Sequence, residues 1–460
     1  MADLNRPTFH FTTNGWLNDV IPFRDQDGVY HLFADFNPGG FDWTARSNWV
    51  HATTRDFVRW LRVTPDALAP TPRSFDQHGC WTGHVTAHAR TYYAHYTAIA
   101  NWPAAGDRGA FTQQQAVATS RDLVTWHKPA DVNPVIPAPP PGLGECFRDP
   151  CVWREGDRWR MVVGSEKPDR QGGVALLYES PDLIHWTYLH PLAEGREAET
   201  GYDFECPDFF PLGDRHVLIT SRGPTRWQVG TYANDRFAMA RYGIADGGAG
   251  NGEPTFYAAK TVTDDRGRRL LIGWVRDQRP ADVRRAGGWA GTWSIPRVLS
   301  LRPDGSLGYE PVETITSLRR RHWRFDDVRL EPGGGEDAFF LLPDVRATAY
   351  ELDVQFEPAA AGVELLGVLV RADDDLDEWT EVVYDAVGKA LGKMPLTLAP
   401  GEGLRLRVFV DGCVVEAFAN GRACWTGILP TTRTDNTRLG LIARGGAVVA
   451  RSVDVWELQV

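Results

Sequence analysis

The sequence predicts an all-β chain: a five-bladed β-propeller over residues 1–300, a connection over 301–322, and a β-sandwich over 323–460. Three observations predict it. A turn motif ending in Trp recurs through the first part, apolar and polar residues alternate through the second, and helical periodicity is scarce throughout. The repeat reads Arg55-Asp56-Phe57-Val58-Arg59-Trp60, then Arg121-Asp122-Leu123-Val124-Thr125-Trp126, then Pro181-Asp182-Leu183-Ile184-His185-Trp186. The tryptophans are 66 and 60 residues apart. Copies follow β-rich runs such as Trp49-Val50-His51-Ala52-Thr53-Thr54 and Val174-Ala175-Leu176-Leu177-Tyr178. A short strand, an S/T-x-D-like turn and a Trp about every 60 residues describe one propeller blade, and roughly five fit into the first ~300 residues. Residues 301–322 carry turns and the charged run Arg319-Arg320-Arg321-His322, the signature of a linker. Beyond it, Tyr350–Phe356, Leu404–Val410 and Leu439–Ala443 alternate with period two, which predicts strands with one apolar and one polar face. Asp411-Gly412 between two such runs is a hairpin signal. Two sheets of this kind make a sandwich of roughly 135 residues.

Bulk composition narrows the function. The chain has 460 residues, 43% hydrophobic and 24% charged, which fits two folded domains rather than disorder. With 49 basic against 60 acidic residues the formal net charge is −11, which disfavours nucleic acid or an anionic membrane and suits a neutral substrate. The 18 tryptophans supply core anchors and flat platforms for the apolar faces of sugar rings. No apolar run reaches the length of a membrane span. The start, Met1-Ala2-Asp3-Leu4-Asn5-Arg6-Pro7, lacks a secretion signal, so the expected location is cytoplasmic, or secreted if a leader has been removed. Six cysteines at 80, 146, 151, 206, 413 and 424 form no metal-knuckle spacing and read as free and buried.

Three acidic motifs carry the chemistry: Trp16-Leu17-Asn18-Asp19, Phe147-Arg148-Asp149-Pro150 and Phe204-Glu205-Cys206-Pro207. Each sets a carboxylate among apolar neighbours, where it is costly unless paired or used. The innermost strands of a propeller point side chains into one funnel, so acids distant in sequence can converge there. Glycoside cleavage needs two carboxyls about the anomeric carbon, one as nucleophile or base and one as acid; a third can stabilise the cationic transition state.

These motifs resemble glycoside hydrolase family 32, the β-fructosidases: invertases, levanases, inulinases and related fructosyltransferases. Arg148-Asp149-Pro150 and Glu205-Cys206-Pro207 match the family's R-D-P and E-C-P, and Trp16-Leu17-Asn18-Asp19 resembles the start of its W-M-N-D-P-N-G. Tyr30-His31-Leu32-Phe33, Phe256-Tyr257-Ala258 and Gly273-Trp274 also match, as do Phe409-Val410-Asp411-Gly412, Val414-Val415-Glu416 and Phe418-Ala419-Asn420 near the end. The resemblance implies that Asp19 is the nucleophile, Glu205 the acid and then the base, and Asp149 the stabiliser of the transition state, while Arg148 holds substrate hydroxyls and keeps a neighbouring carboxylate ionised. It implies retention of configuration, with the Asp19 and Glu205 carboxyls about 5–6 Å apart, and requires neither cofactor nor metal. Asn18, Trp43, Trp81, Thr82, Tyr257 and Trp274 are the further substrate-binding candidates, with Tyr257 expected to donate to Glu205 or Asp19. Cys206 either tunes the adjoining acid or simply fits.

The chain also departs from the family pattern. Val20-Ile21-Pro22 replaces the Pro-Asn-Gly tail of the first motif, and Thr82 stands where Ser is usual. Asp35 stands where most members carry Gln; as a fourth carboxylate it would raise a pKa in the cluster or bind a differently placed sugar. These departures favour a fructan or fructo-oligosaccharide over plain sucrose as substrate. A fructosyl transfer that forms a difructose anhydride is the alternative, and a monomer or homodimer the expected assembly. An inverting arabinanase-like propeller and a non-catalytic sugar binder are more distant readings. His84 follows Thr82-Gly83 where a small residue is more usual; with His88 it has H-x-x-x-H spacing, but on a strand the rings lie about 13 Å apart, too far for one ion. Gly333-Gly334-Gly335 reads as a loop, not a phosphate cradle.

Overall fold

The computed structural model describes residues 5–102, 111–331, 337–431, 433 and 435–460. Antiparallel strands dominate. The first sheet contains β1 (Trp16–Arg24), β2 (Tyr30–Asn37), β3 (Asn48–Thr54) and β4 (Leu61–Leu68). The second contains β5 (Gly79–His88), β6 (Thr91–Ala100) and β7 (Thr112–Ser120). The third contains β8 (Phe147–Glu155), β9 (Arg158–Glu166), β10 (Gly173–Ser180) and β11 (Thr187–Glu194), and the fourth β12 (Glu205–Leu212), β13 (Arg215–Ser221), β14 (Thr225–Ala233) and β15 (Arg236–Ile244). A short ladder of β16 (Ala249–Gly250) and β17 (Glu253–Pro254) leads into the fifth sheet. That sheet contains β18 (Phe256–Thr263), β19 (Arg269–Val275), β21 (Arg297–Leu301) and β22 (Leu307–Pro311), with β20 (Thr292–Trp293) paired beside β19.

Within each of these sheets the strands follow chain order, the simplest path for short hairpins. The first strands are neighbours by packing: β1 against β5, β5 against β8, β8 against β12, β12 against β18, and β18 against β1. The circuit closes on itself, although each sheet keeps its own hydrogen-bonded ladder.

The recurrent Trp motif is the turn after the third strand of the first three sheets. In each copy a hydroxyl and an acid hold the turn: Thr54 with Asp56, Ser120 with Asp122, and Ser180 with Asp182. Asp182 Oδ1 accepts from the N–H groups of Ile184 at 3.0 Å and His185 at 2.9 Å, and the other two copies repeat the pattern. The next residue, Phe57, Leu123 or Leu183, has a φ of 62°, 62° or 71° and is buried. The stretch 301–322, expected as a bare linker, instead holds β22, a 3₁₀ turn over Glu313–Leu318 and the start of the strand Arg319–Leu330.

Residues from 319 onward form two six-stranded sheets. Their alternation is as expected on the apolar side, where Tyr350, Leu352 and Val354 are fully buried. The polar side differs. Glu351 is also fully buried, because Arg319 and Arg407 cover it with hydrogen bonds of 2.6–2.7 Å. The hairpin after Arg405–Asp411 turns at Gly412-Cys413, one residue later than the Asp-Gly signal suggested. The Asp411 side chain is thereby free to accept from the backbone N–H groups of Thr8, Phe9 and His10, and so it fixes the entering chain. One apolar core runs from the first and fifth sheets into the two later sheets, and all six cysteines are buried. Among the described residues no helix is long and apolar enough to cross a membrane.

Candidate active site

The pocket lies where the five first strands meet. Each of them breaks register at the residues of interest: β1 between Leu17 and Val20, β5 between Trp81 and Gly83, β8 between Arg148 and Cys151, β12 between Glu205 and Asp208, and β18 between Tyr257 and Lys260. A bulge leaves a residue unpaired, bends its strand and re-aims the side chain. Asp149, Cys206 and Ala258 adopt φ of 63°, 50° and 48° within these bulges. Pro150 and Pro207 fit there because a bulge does not require the N–H that proline lacks. Lys260, 1% exposed, donates to the Pro207 carbonyl at 3.2 Å, a partner for a group in the bulged segment.

The resulting cavity has a volume of about 280 Å³. It brings together all eleven residues singled out from the sequence: Asn18, Asp19, Asp35, Trp43, Trp81, Thr82, Arg148, Asp149, Glu205, Tyr257 and Trp274, with Cys206 and Phe111 beside them. Asp19 Oδ2 accepts from Thr82 Oγ1 at 2.6 Å and from Cys206 Sγ at 3.2 Å, and Asn18 Nδ2 lies 3.3 Å from Oδ1. Burial and the charge of Glu205 raise its pKa, against those three hydrogen bonds. Asp149 is 3% exposed, and its Oδ2 accepts from the Cys206 N–H at 2.8 Å. Burial pushes Asp149 up to about 6, with Arg148 pulling the other way. Asp35 has one oxygen 3.2 Å from Thr82 Oγ1 and the other buried without a partner among the described residues. Burial, then Asp19 and Asp149, hold its carboxyl well above the usual range, which favours its neutral form.

Glu205 is held differently. Arg148 and Arg222 both donate to its Oε1, Arg222 at 3.0 Å, and the Tyr257 hydroxyl donates to Oε2. Arg148 also reaches Asp203 at 3.2 Å and lies 3.9 Å from Asp149. Burial holds the Cys206 thiol protonated, so it serves as a donor to Asp19 and Asp149. Trp43, 51% exposed, packs edge-on against Trp81 and Trp102, and Phe111 closes this aromatic wall. The indole N–H of Trp274, at the pocket edge, is buried without a partner among the described residues. His84 and His88 sit four residues apart on β5, with His84 pushed down to about 3 by burial and by Lys260. Gly333-Gly334-Gly335 lies outside the described residues.

Sequence reasoning missed Asp203, Arg222, Trp102 and Phe111. Asp203 carried the signal that found the other acids, a carboxylate between Tyr202 and Phe204. Arg222 sits in the β13–β14 turn, and Trp102 and Phe111 lie off any periodic run, so only the folded chain brings them to the rim.

Residues 10–311 match the family model described as glycosyl hydrolases family 32 N-terminal domain, and residues 314–457 the one described as glycosyl hydrolases family 32 C terminal. The chain is 32% identical to a sucrose-6-phosphate hydrolase of Escherichia coli, over 98% of this chain and 94% of that one. It is 30% identical to the β-fructofuranosidase insoluble isoenzyme 1 of Daucus carota, over 100% of this chain and 90% of that one. Among solved structures it is similar to a variant of fructan 1-exohydrolase IIa from Cichorium intybus in complex with 1-kestose, with a TM-score of 0.83, 25% identity, and coverage of 100% and 98%.

Proposed function

The chain belongs to glycosyl hydrolase family 32 and is a hydrolase of the β-fructofuranosidase type, and from that premise we propose that it cleaves terminal or internal β-fructofuranosyl links by a retaining, two-step route. Asp19 attacks the anomeric carbon. Glu205 protonates the leaving oxygen and then activates the acceptor. Asp149 holds fructose hydroxyls and favours the oxocarbenium-like transition state. Arg148 and Tyr257 position Glu205, while Asn18, Asp35, Thr82, Trp43, Trp81 and Trp274 hold and wall the sugar. The observation that carries this reading is that three acids from β1, β8 and β12 sit on register breaks facing one cavity, with Cys206 within reach of two of them. Retention requires the Asp19 and Glu205 carboxyls about 5–6 Å apart. Asp35 takes part as a neutral hydrogen-bonding group.

We read the five sheets, which end at Pro311, as propeller blades and the two later sheets, which begin at Arg319, as a sandwich, so each boundary departs from the expected 300 and 323. Chain-order strands and the closed circuit of first strands support that reading. For substrate, the departures at Asp35 and after Asp19 favour fructans and fructo-oligosaccharides, as does the 1-kestose complex of the chicory relative; the relatives' names add sucrose. Transfer to a sugar acceptor is a second reading, favoured by the exposed Trp43, packed edge-on against Trp102, a platform on which an acceptor ring can stack.

The test is mass spectrometry of products from levan, inulin, a short fructo-oligosaccharide and sucrose. Products heavier by one water per cleavage are expected and name the linkage. A difructose lighter by one water establishes transfer instead. No product from any of the four, with the protein folded, overturns the β-fructoside reading.

A further inference from the structure

Glu205 is crowded by donors. Two guanidiniums reach one of its oxygens and the Tyr257 hydroxyl the other. A guanidinium can only donate, so neither arginine accepts from a protonated carboxyl. Yet Glu205, taken as the acid, must hold a proton when the leaving oxygen departs. The arginines therefore need a second claimant, and Asp203 is built into that position. It is 2% exposed. One of its oxygens accepts from Arg148 Nη2 at 3.2 Å, and the other lies 3.4 Å from Arg222 Nε, without a hydrogen-bond partner among the described residues. Arg222 is clamped in place with its guanidinium 4.3 Å above the Tyr202 ring. Two arginines are thus shared between two carboxyls. Asp203 does not line the substrate cavity, so its effect passes through its neighbours.

We propose that Asp203 is a positioning residue for the acid step: by competing with Glu205 for Arg148 and Arg222, it leaves Glu205 able to carry the proton that the leaving oxygen takes. The inference rests on Glu205 being the acid. The charged and titratable groups facing Asp203 are Arg148, Asp149 and Cys146 on or beside β8, Glu166 at the end of β9, Arg222 in the β13–β14 turn, and Glu205 itself. Burial and then Glu205 push Asp203 up to about 8, with Arg148 opposing. Replacing Asp203 by a neutral side chain leaves both guanidiniums to Glu205 alone, so the step that uses its proton should fail at lower pH.

The experiment compares pH profiles of kcat/KM for D203N on two substrates. One is sucrose or 1-kestose, whose leaving alcohol needs a proton. The other is an aryl β-fructofuranoside with a nitrophenolate leaving group, which does not. For the sugar substrate the alkaline limb should move down by about one pH unit, costing about tenfold at pH values above the wild-type limb. For the aryl substrate the profile should hold within about twofold, and D203E should restore the limb. D203S, a second neutral variant, is read the same way and guards against misfolding of D203N. An unmoved limb with parallel losses on both substrates overturns the proposal and leaves Asp203 a purely structural acid. E205Q separates the two levels. If E205Q keeps the sugar rate, the acid assignment fails and this inference with it. If E205Q loses the sugar rate while D203N leaves the limb in place, only the role of Asp203 fails.

Discussion

Asp149 shows how the pocket trades stability for chemistry. Its carboxyl is buried and stands at about 6, against an ordinary value near 3.8, because burial outweighs the pull of Arg148. A carboxyl raised in the folded state binds its proton more tightly there than in the unfolded chain. The stability this gives is present below about pH 4 and is lost as pH rises through about 6. At pH 7 the ionised group therefore costs the fold up to about 3 kcal/mol. D149N should raise the melting temperature at pH 7, gain nothing at pH 4, and lower kcat by about 10²–10³-fold. A variant that melts lower at pH 7 would contradict the burial argument. Wild-type activity should also fall on the acid side near pH 6 as Asp149 takes up its proton. For Asp19, D19N should lose at least about 10⁴-fold while remaining folded, read in a product assay beside a melting curve. The acids were legible because each sits in a contiguous motif. Asp203 and Arg222 were not, since their meaning lies in sharing a partner with Glu205 from a different turn.

At the scale of elements, the repeated turn and the bulges differ in how they can be read. The turn needs particular chemistry in adjacent residues, a hydroxyl followed two later by an acid, so it recurs visibly as Thr54-Arg55-Asp56, Ser120-Arg121-Asp122 and Ser180-Pro181-Asp182. D182A removes the acceptor for two backbone N–H groups at an exposed turn where water can replace it. The expected cost is about 1 kcal/mol in a denaturant titration, with kcat/KM unchanged because the turn lies outside the pocket. A loss of activity without a loss of stability would mean that the turn touches the site. The bulges leave no such trace. Pro150 and Pro207 hint at two of them, but Thr82 and Ala258 break register with ordinary residues. They lie where the five first strands pack against one another, a tertiary setting that propensity does not record. The polar face of the later sheets was misjudged for a related reason: Glu351 alternates like a surface residue, yet Arg319 and Arg407 roof it over.

The molecule as a whole is tied together by a buried ionic knot joining three distant parts of the chain. His10 enters from the N-terminal segment, Arg297 from β21, and Asp411 and Glu416 from the later sheets. His10 Nδ1 lies 2.9 Å from Asp411 and Nε2 3.1 Å from Glu416. Glu416 also accepts from the Ile295 N–H at 2.6 Å, and Arg297, fully buried over the Phe256 ring, reaches Asp246 at 2.7 Å. Sequence alone could not show the knot, because residues 10, 297 and 416 carry no pattern in common; only the charge types were visible. Breaking one partner should be costly, since it leaves a buried charge uncompensated. Burial alone would lower the His10 pKa, but the hydrogen bonds and charges of Asp411 and Glu416 more than reverse this and raise it to about 9. Because that exceeds the unfolded value near 6.5, the stabilisation from His10 is fully present below about pH 6.5 and disappears as pH rises through about 9. The difference corresponds to about 3 kcal/mol. Urea unfolding should therefore show the wild type losing stability between pH 6.5 and about 9.5, while H10Q, which cannot take the proton, starts lower and stays flat over the same window. Parallel pH curves for the two proteins would show that His10 is neutral in the fold, and that Asp411 is held by the backbone N–H groups of residues 8–10 alone.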